Sequence, residues 1–127
     1  MRIAVLDGFE VCEILQCGLT LLGHSVDTFI TLDSFLYFIN KESEISPSDR
    51  CDLIIIDNLL STEGYSGEQV LHNVRKKYPT LPALLLLSSR PEIPLIGIEE
   101  LSNIQIIQKP FTFSTLLAAI EAVVLSK

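Results

Sequence analysis

At 127 residues, with 48% hydrophobic and 20% charged residues, the chain has the size and apolar content of one folded domain, not of a disordered segment. No apolar run approaches the roughly 18 residues of a membrane span, and Arg2 followed by Asp7 gives no signal-peptide pattern, so the expectation is a cytoplasmic protein away from membranes. A net charge of −7 argues against direct nucleic-acid binding, which needs a clustered basic surface.

Apolar runs and helical periods alternate along the chain. A first strand at 2–6 precedes a helix from Glu10 to Leu22, with Val11, Ile14, Leu15, Leu19 and Leu22 on its inner stripe and Gly23 as its left-handed end. Ser25 to Ile30 reads as strand two. Thr31 or Asp33 caps a short helix through Phe35, Leu36 and Ile39, and the polar stretch 42–50 is a loop. Leu53 to Ile56 are four apolar residues in a row, the pattern of a strand buried on both faces, here spanning 52–56.

Residues 57–67, polar and holding Gly64 and Gly67, read as a rim loop. A helix from Glu68 to Tyr78 turns Val70, Leu71, Val74 and Tyr78 inward, and its basic run Arg75-Lys76-Lys77 complements the helix dipole. Ala83 to Leu87 form strand four, ending on Ser88 and Ser89. Pro91 and Pro94 leave room for only a short helix before Ser102. Strand five is 104–108, and Thr112 caps a last helix to Leu125 with Phe113, Leu116, Leu117, Ile120 and Val124 as its core stripe. Cys12, Cys17 and Cys51, odd in number and without CxxC spacing, read as small buried hydrophobes in a reducing compartment.

Five βα units in sequence predict a single α/β domain over 1–127: a flavodoxin-like, doubly wound, five-stranded parallel sheet of order 2-1-3-4-5, (βα)5. In that arrangement Asp7 and Asp57 end the two strands that flank the switch point, and Lys109 ends strand five. Two carboxylates and an ammonium at strand ends suit phosphoryl chemistry or a cation site.

Asp7, Asp57, Ser88 and Lys109-Pro110-Phe111, each after its own strand, resemble a response-regulator receiver domain of the chemotaxis-regulator kind. Leu22-Gly23-His24-Ser25-Val26, Cys51-Asp52-Leu53 and Tyr78-Pro79-Thr80-Leu81-Pro82 add local likeness, and the resemblance runs from Met1 to the last helix. It implies a non-enzymatic signalling domain of two-component systems. Asp57 would accept a phosphoryl group from a sensor histidine kinase or phosphotransfer protein, with Lys109 and Ser88, or its neighbour Ser89, contacting that group. Mg2+ would be held by Asp7, Asp57 and the backbone carbonyl of Leu59.

Several positions depart from the family pattern. The second acid after strand one is replaced by Gly8, which predicts weak or absent Mg2+ binding unless Glu10 reaches the ion. Ser61 stands where a proline is common, in a longer loop that contains Glu63. Ile106 stands where an inward-turning Tyr or Phe is usual. The last helix, with Ala118, Ala119, Ala122 and Leu125 outside its core stripe and Leu95, Ile96 and Ile98 expected nearby, suggests a protein-facing surface for a homodimer or a downstream partner. The competing reading is a pseudo-receiver, a binding module of this fold that works without Asp57 phosphorylation. An unrelated cofactor binder on the same fold is disfavoured, since Asp7-Gly8-Phe9 is no phosphate-cradling loop and no nucleophile triad is placed. His24 and His72 have no metal-ligand companion.

Overall fold

The computed structural model describes residues 1–41, 50–60, 65–87 and 102–125. In chain order they form β1 (Arg2–Leu6), α1 (Phe9–Leu21), β2 (Ser25–Phe29), α2 (Leu32–Asn40), β3 (Leu53–Asp57), β4 (Leu59–Leu60), β5 (Tyr65–Ser66), α3 (Gly67–Lys77), β6 (Ala83–Leu87), β7 (Ile104–Gln108) and α4 (Phe113–Leu125). Five strands make a parallel sheet in the order β2-β1-β3-β6-β7, which is the expected doubly wound order. The chain divides into two compact units, Met1–Ile55 and Ile56–Lys127.

In the first unit β1 pairs with β2 in parallel register, Arg2 opposite Ser25 through Leu6 opposite Phe29. The Asp52 carboxylate accepts the Arg2 backbone N–H at 2.8 Å, and the Asp52 N–H returns a 2.8 Å bond to the Arg2 carbonyl. Helix α1 ends as the sequence predicts: Gly23, at φ 91°, sends its N–H to Thr20 O while His24 N–H reaches Leu19 O, the paired bonds of a Schellman end. Thr31 caps α2 through the Ser34 N–H.

Which face of α1 turns inward differs from the expectation. Cys12, Leu15 and Leu19 are buried, whereas Ile14 and Leu22 are exposed. The helix is apolar nearly all round, so spacing alone cannot select the buried stripe. Cys17 is likewise exposed and Cys51 half-buried, leaving Cys12 as the buried thiol.

In the second unit β6 pairs with β7, Ala83 opposite Ile104 through Leu87 opposite Gln108. Leu84, Leu85 and Leu86 are wholly buried, and each such leucine contributes roughly 2 kcal/mol over its exposed state. In α4 the buried residues are Leu116, Ile120 and Val123, one position short of the expected Val124, and Thr112 caps the helix through the Thr115 N–H.

One further expectation needs correction. The stretch after Asp57 is no plain loop, because Leu59 and Leu60 pair antiparallel with Ser66 and Tyr65. Arg75, with Lys76 and Lys77 in the last turn of α3 as the sequence predicts, is buried, its Nη1 donating to Pro79 O at 3.1 Å and its Nη2 to Asn103 O at 2.9 Å. Burial also lowers its pKa from the usual arginine value. Asn103 itself sits at φ 57°, a left-handed position that asparagine tolerates better than most residues.

Candidate functional site

Asp57 closes β3, behind four wholly buried apolar residues, Leu53 to Ile56. An isolated carboxylate so little exposed would be costly. Lys109, the residue after β7, brings its Nζ to 3.3 Å from Asp57 Oδ1. The Lys109 backbone is itself fixed, its N–H donating to Leu87 O at 2.7 Å. Both side chains are largely covered, 12% and 24% exposed, so solvent screens the pair less than it would a surface ion pair. The sequence-predicted acceptor and lysine are thus brought together.

The backbone beside Asp57 is held from two directions. Asn58 is buried; its N–H donates to Leu86 O at 2.8 Å and its carbonyl accepts the Gly67 N–H at 2.9 Å. Its side-chain oxygen accepts the Glu68 N–H at 3.1 Å. A Cβ added at Gly67 would run into the Asp57 carbonyl oxygen and lie 2.8 Å from Asn58 Cα, so only glycine permits this approach. Ser66 completes the start of α3 with a capping box, its hydroxyl accepting from Gln69 N–H while the Gln69 side chain accepts from Ser66 N–H. Sequence reasoning passed over Asn58 because a polar residue after a strand reads as the start of a loop.

In the first unit Asp7 is buried at the end of β1. Its N–H donates to Phe29 O at 3.2 Å, and its Oδ1 accepts the Gly8 N–H at 2.6 Å. The Cys12 thiol donates toward Asp7 O and Phe29 O. Gly8 is the N-cap of α1 in extended conformation, φ −65° and ψ 164°, and provides no side-chain cap. Glu10 is exposed in the first turn of α1. Carboxylate oxygens suit Mg2+, which needs few protein ligands and keeps its waters, and Asp7 after β1 and Asp57 at the end of β3 each present one in their own unit. Among the described residues no three acidic, His or Cys side chains are grouped to hold a metal ion by themselves.

Ile106 is exposed on β7, as are Ala118 and Ala122 on α4. With Gln108, Phe111 and Ala119 they line an open groove of about 490 Å3. Ser88 and Ser89, the loop residues Ser61, Glu63 and Gly64, and Pro91, Pro94, Leu95, Ile96 and Ile98 lie outside the described residues.

Neither a protein-family model nor a curated protein matches the sequence. Solved structures do match. A response regulator receiver domain protein from Clostridium thermocellum superposes with a TM-score of 0.80 at 19% identity, over 98% of this chain and 94% of that one. The fold is that of response-regulator receiver domains. The receiver domain of NtrX from Brucella abortus gives 0.80 at 22% identity over 100% of both chains. TrrA from Thermotoga maritima, solved in complex with Mg2+-BeF, gives 0.70 at 23% identity over 96% of this chain and 97% of that one. At these identities the likeness establishes the receiver fold. No helix among the described residues is long and apolar enough to cross a membrane.

Proposed function

We propose that this chain is a cytoplasmic receiver domain that signals rather than catalyses, taking a phosphoryl group on Asp57 from a histidine kinase or phosphotransfer protein. The observation that carries the reading is the Asp57–Lys109 pair at 3.3 Å, joining the ends of two parallel strands in a receiver fold. In the transfer, an Asp57 carboxylate oxygen bonds to phosphorus as the phosphorus–nitrogen bond of a phosphohistidine breaks. The Lys109 ammonium then faces the charge gathered on the phosphoryl oxygens. On the family resemblance, Asp7, Asp57 and the Leu59 carbonyl would hold Mg2+, with Glu10 as a further candidate ligand, and Ser88 would bond the phosphoryl group. The bound ion supplies neutralisation of the incoming charge.

Gly8 and Ile106 favour the second reading, a pseudo-receiver that binds protein partners without phosphorylation. In either case the groove between β7 and α4 is the proposed docking face, for a second copy or a downstream protein. Among the described residues its lining holds no charged side chain, so two copies of net charge −7 could meet there without opposing carboxylates from that lining.

The test is incubation with acetyl phosphate and millimolar Mg2+, followed by intact mass spectrometry of the wild type beside Asp57→Asn. A gain of one phosphate in the wild type alone supports the acceptor reading. No gain in either protein sinks it and leaves the pseudo-receiver.

A further inference from the structure

We propose that Asn58 is a positioning residue for Asp57, fixing the acceptor's backbone to the first turn of α3. This rests on the reading of Asp57 as the reactive carboxylate. A buried amide is costly unless its polar atoms are bonded, and Asn58 bonds in three directions. Its N–H goes to Leu86 O on β6, its carbonyl takes the Gly67 N–H, and its side chain takes the Glu68 N–H. Because that last partner is an N–H donor, the side-chain atom facing it must be the oxygen, which settles the amide's orientation.

The first three N–H groups of a helix have no partner within it. In α3, Asn58 satisfies those of Gly67 and Glu68, and Ser66 satisfies that of Gln69. The helix start is therefore stitched to the residue next to the acceptor. Gly67, lacking a Cβ, lets the helix backbone lie directly on the Asp57 carbonyl. The Asp57–Asn58 peptide is held between β6 and α3, and Lys109 fixes the Asp57 carboxylate itself. In-line phosphoryl transfer depends on such placement, since small misplacements of a reacting group are expensive in rate.

Asn58→Leu keeps the approximate volume and removes the acceptor; Ser66→Ala weakens the same helix start without touching Asn58. Two readouts are compared: the NMR signals of the Asp57 carboxyl carbon and the Lys109 ammonium, and the initial rate of phosphate uptake from acetyl phosphate. Asn58→Leu is expected to move both signals and to slow uptake by on the order of tenfold to a hundredfold. Ser66→Ala is expected to lower the unfolding temperature and leave both readouts in place. If Asn58→Leu does not fold, Asn58→Ala, which leaves room for a water to accept from Glu68, takes its place.

The proposal is overturned if the Asn58 variant lowers stability but leaves both signals at their wild-type positions. It is equally overturned if Ser66→Ala moves them as far, for then any loosening of α3 suffices. A wild type that takes no phosphate, while the Asn58 variant still moves both signals, ends the phosphoacceptor reading and leaves the positioning of Asp57 standing.

Discussion

Among the residues around the two carboxylates, Gly8 and Gly67 show that a glycine can be present for opposite reasons. Gly67 is demanded by contact, because any Cβ would strike the backbone of Asp57 and Asn58. Gly8 is not: its backbone is extended, and a Cβ there would meet nothing within 4 Å. No conformational need therefore keeps a glycine at position 8, and the proposed reading turns on the carboxylate that is not there. Gly8→Asp should fit without strain and give α1 the side-chain cap it lacks, a gain of only a few tenths of a kcal/mol over glycine. Its larger effect concerns Mg2+. Two unit charges 4 Å apart exchange roughly 4 kcal/mol at an effective dielectric of 20, and even a third of that raises affinity about tenfold. Calorimetric titration with Mg2+ should show that gain. In metal-free buffer the added charge beside Asp7 should lower the melting temperature, and Mg2+ should restore it. An affinity equal to wild type would mean that position 8 does not face the ion.

The elements show how much a one-dimensional pattern can carry. Strands β1, β3 and β6 were legible because each is built on a short apolar run, and Asp57 and Lys109 were legible because each is a charge at the end of a strand. Helix faces were harder to read. In α1, apolar residues surround the axis, and the stripe of Cys12, Leu15 and Leu19 has no advantage in spacing over that of Val11 and Ile14. In α3 the signal was present but hidden by residue type: Gly67, Leu71 and Arg75 fall every four residues on the buried face. Arg75 ties the end of α3 to the turn that feeds β7, and no described carboxylate offsets its charge. Arg75→Met removes two charge-assisted bonds while relieving the burial of a cation, so the net loss should be about 2 kcal/mol in urea unfolding. Asn103 O keeps its bond from Ala83 N–H, which limits the damage. A variant as stable as wild type would show that burial of the charge cancels the bonds. At the end of α1, His24 Nδ1 accepts the Met1 ammonium at 3.0 Å. Burial first, and the adjacent ammonium second, lower the His24 pKa from 6.5. The unfolded chain then binds a proton there more readily than the folded one, so this term is absent above the unfolded pKa and destabilises progressively as pH falls below about 6.5. Urea midpoints of His24→Gln should therefore fall less than wild type between neutral pH and 5.5. Parallel curves would remove His24 from the pH response.

For the whole molecule, the question is how a domain whose Asp57–Lys109 pair is largely covered would report to anything outside itself. A net charge of −7 opposes the approach of two copies, least so where a surface lacks carboxylates. Among the described residues the lining of the β7–α4 groove meets that condition, and it includes Ala118 and Ala122, side chains small enough for a second helix to approach closely. Ile106, 41% exposed on β7, adds apolar surface beside them. On the proposed reading, with no aromatic at that position, the groove would act as a dimer face whose occupancy carries the signal. Ala122→Glu tests this cleanly, because the site is exposed and glutamate is a good helix former. Sedimentation equilibrium should give a wild-type dimer that Ala122→Glu converts to monomer with its circular dichroism unchanged. Acetyl phosphate should raise the dimer fraction in wild type and not in Asp57→Asn if phosphorylation drives the face. A dimer insensitive to both acetyl phosphate and Asp57→Asn would assign the same face to the pseudo-receiver. A protein monomeric under every condition would remove the self-docking role of α4 and return the groove to a partner of different sequence.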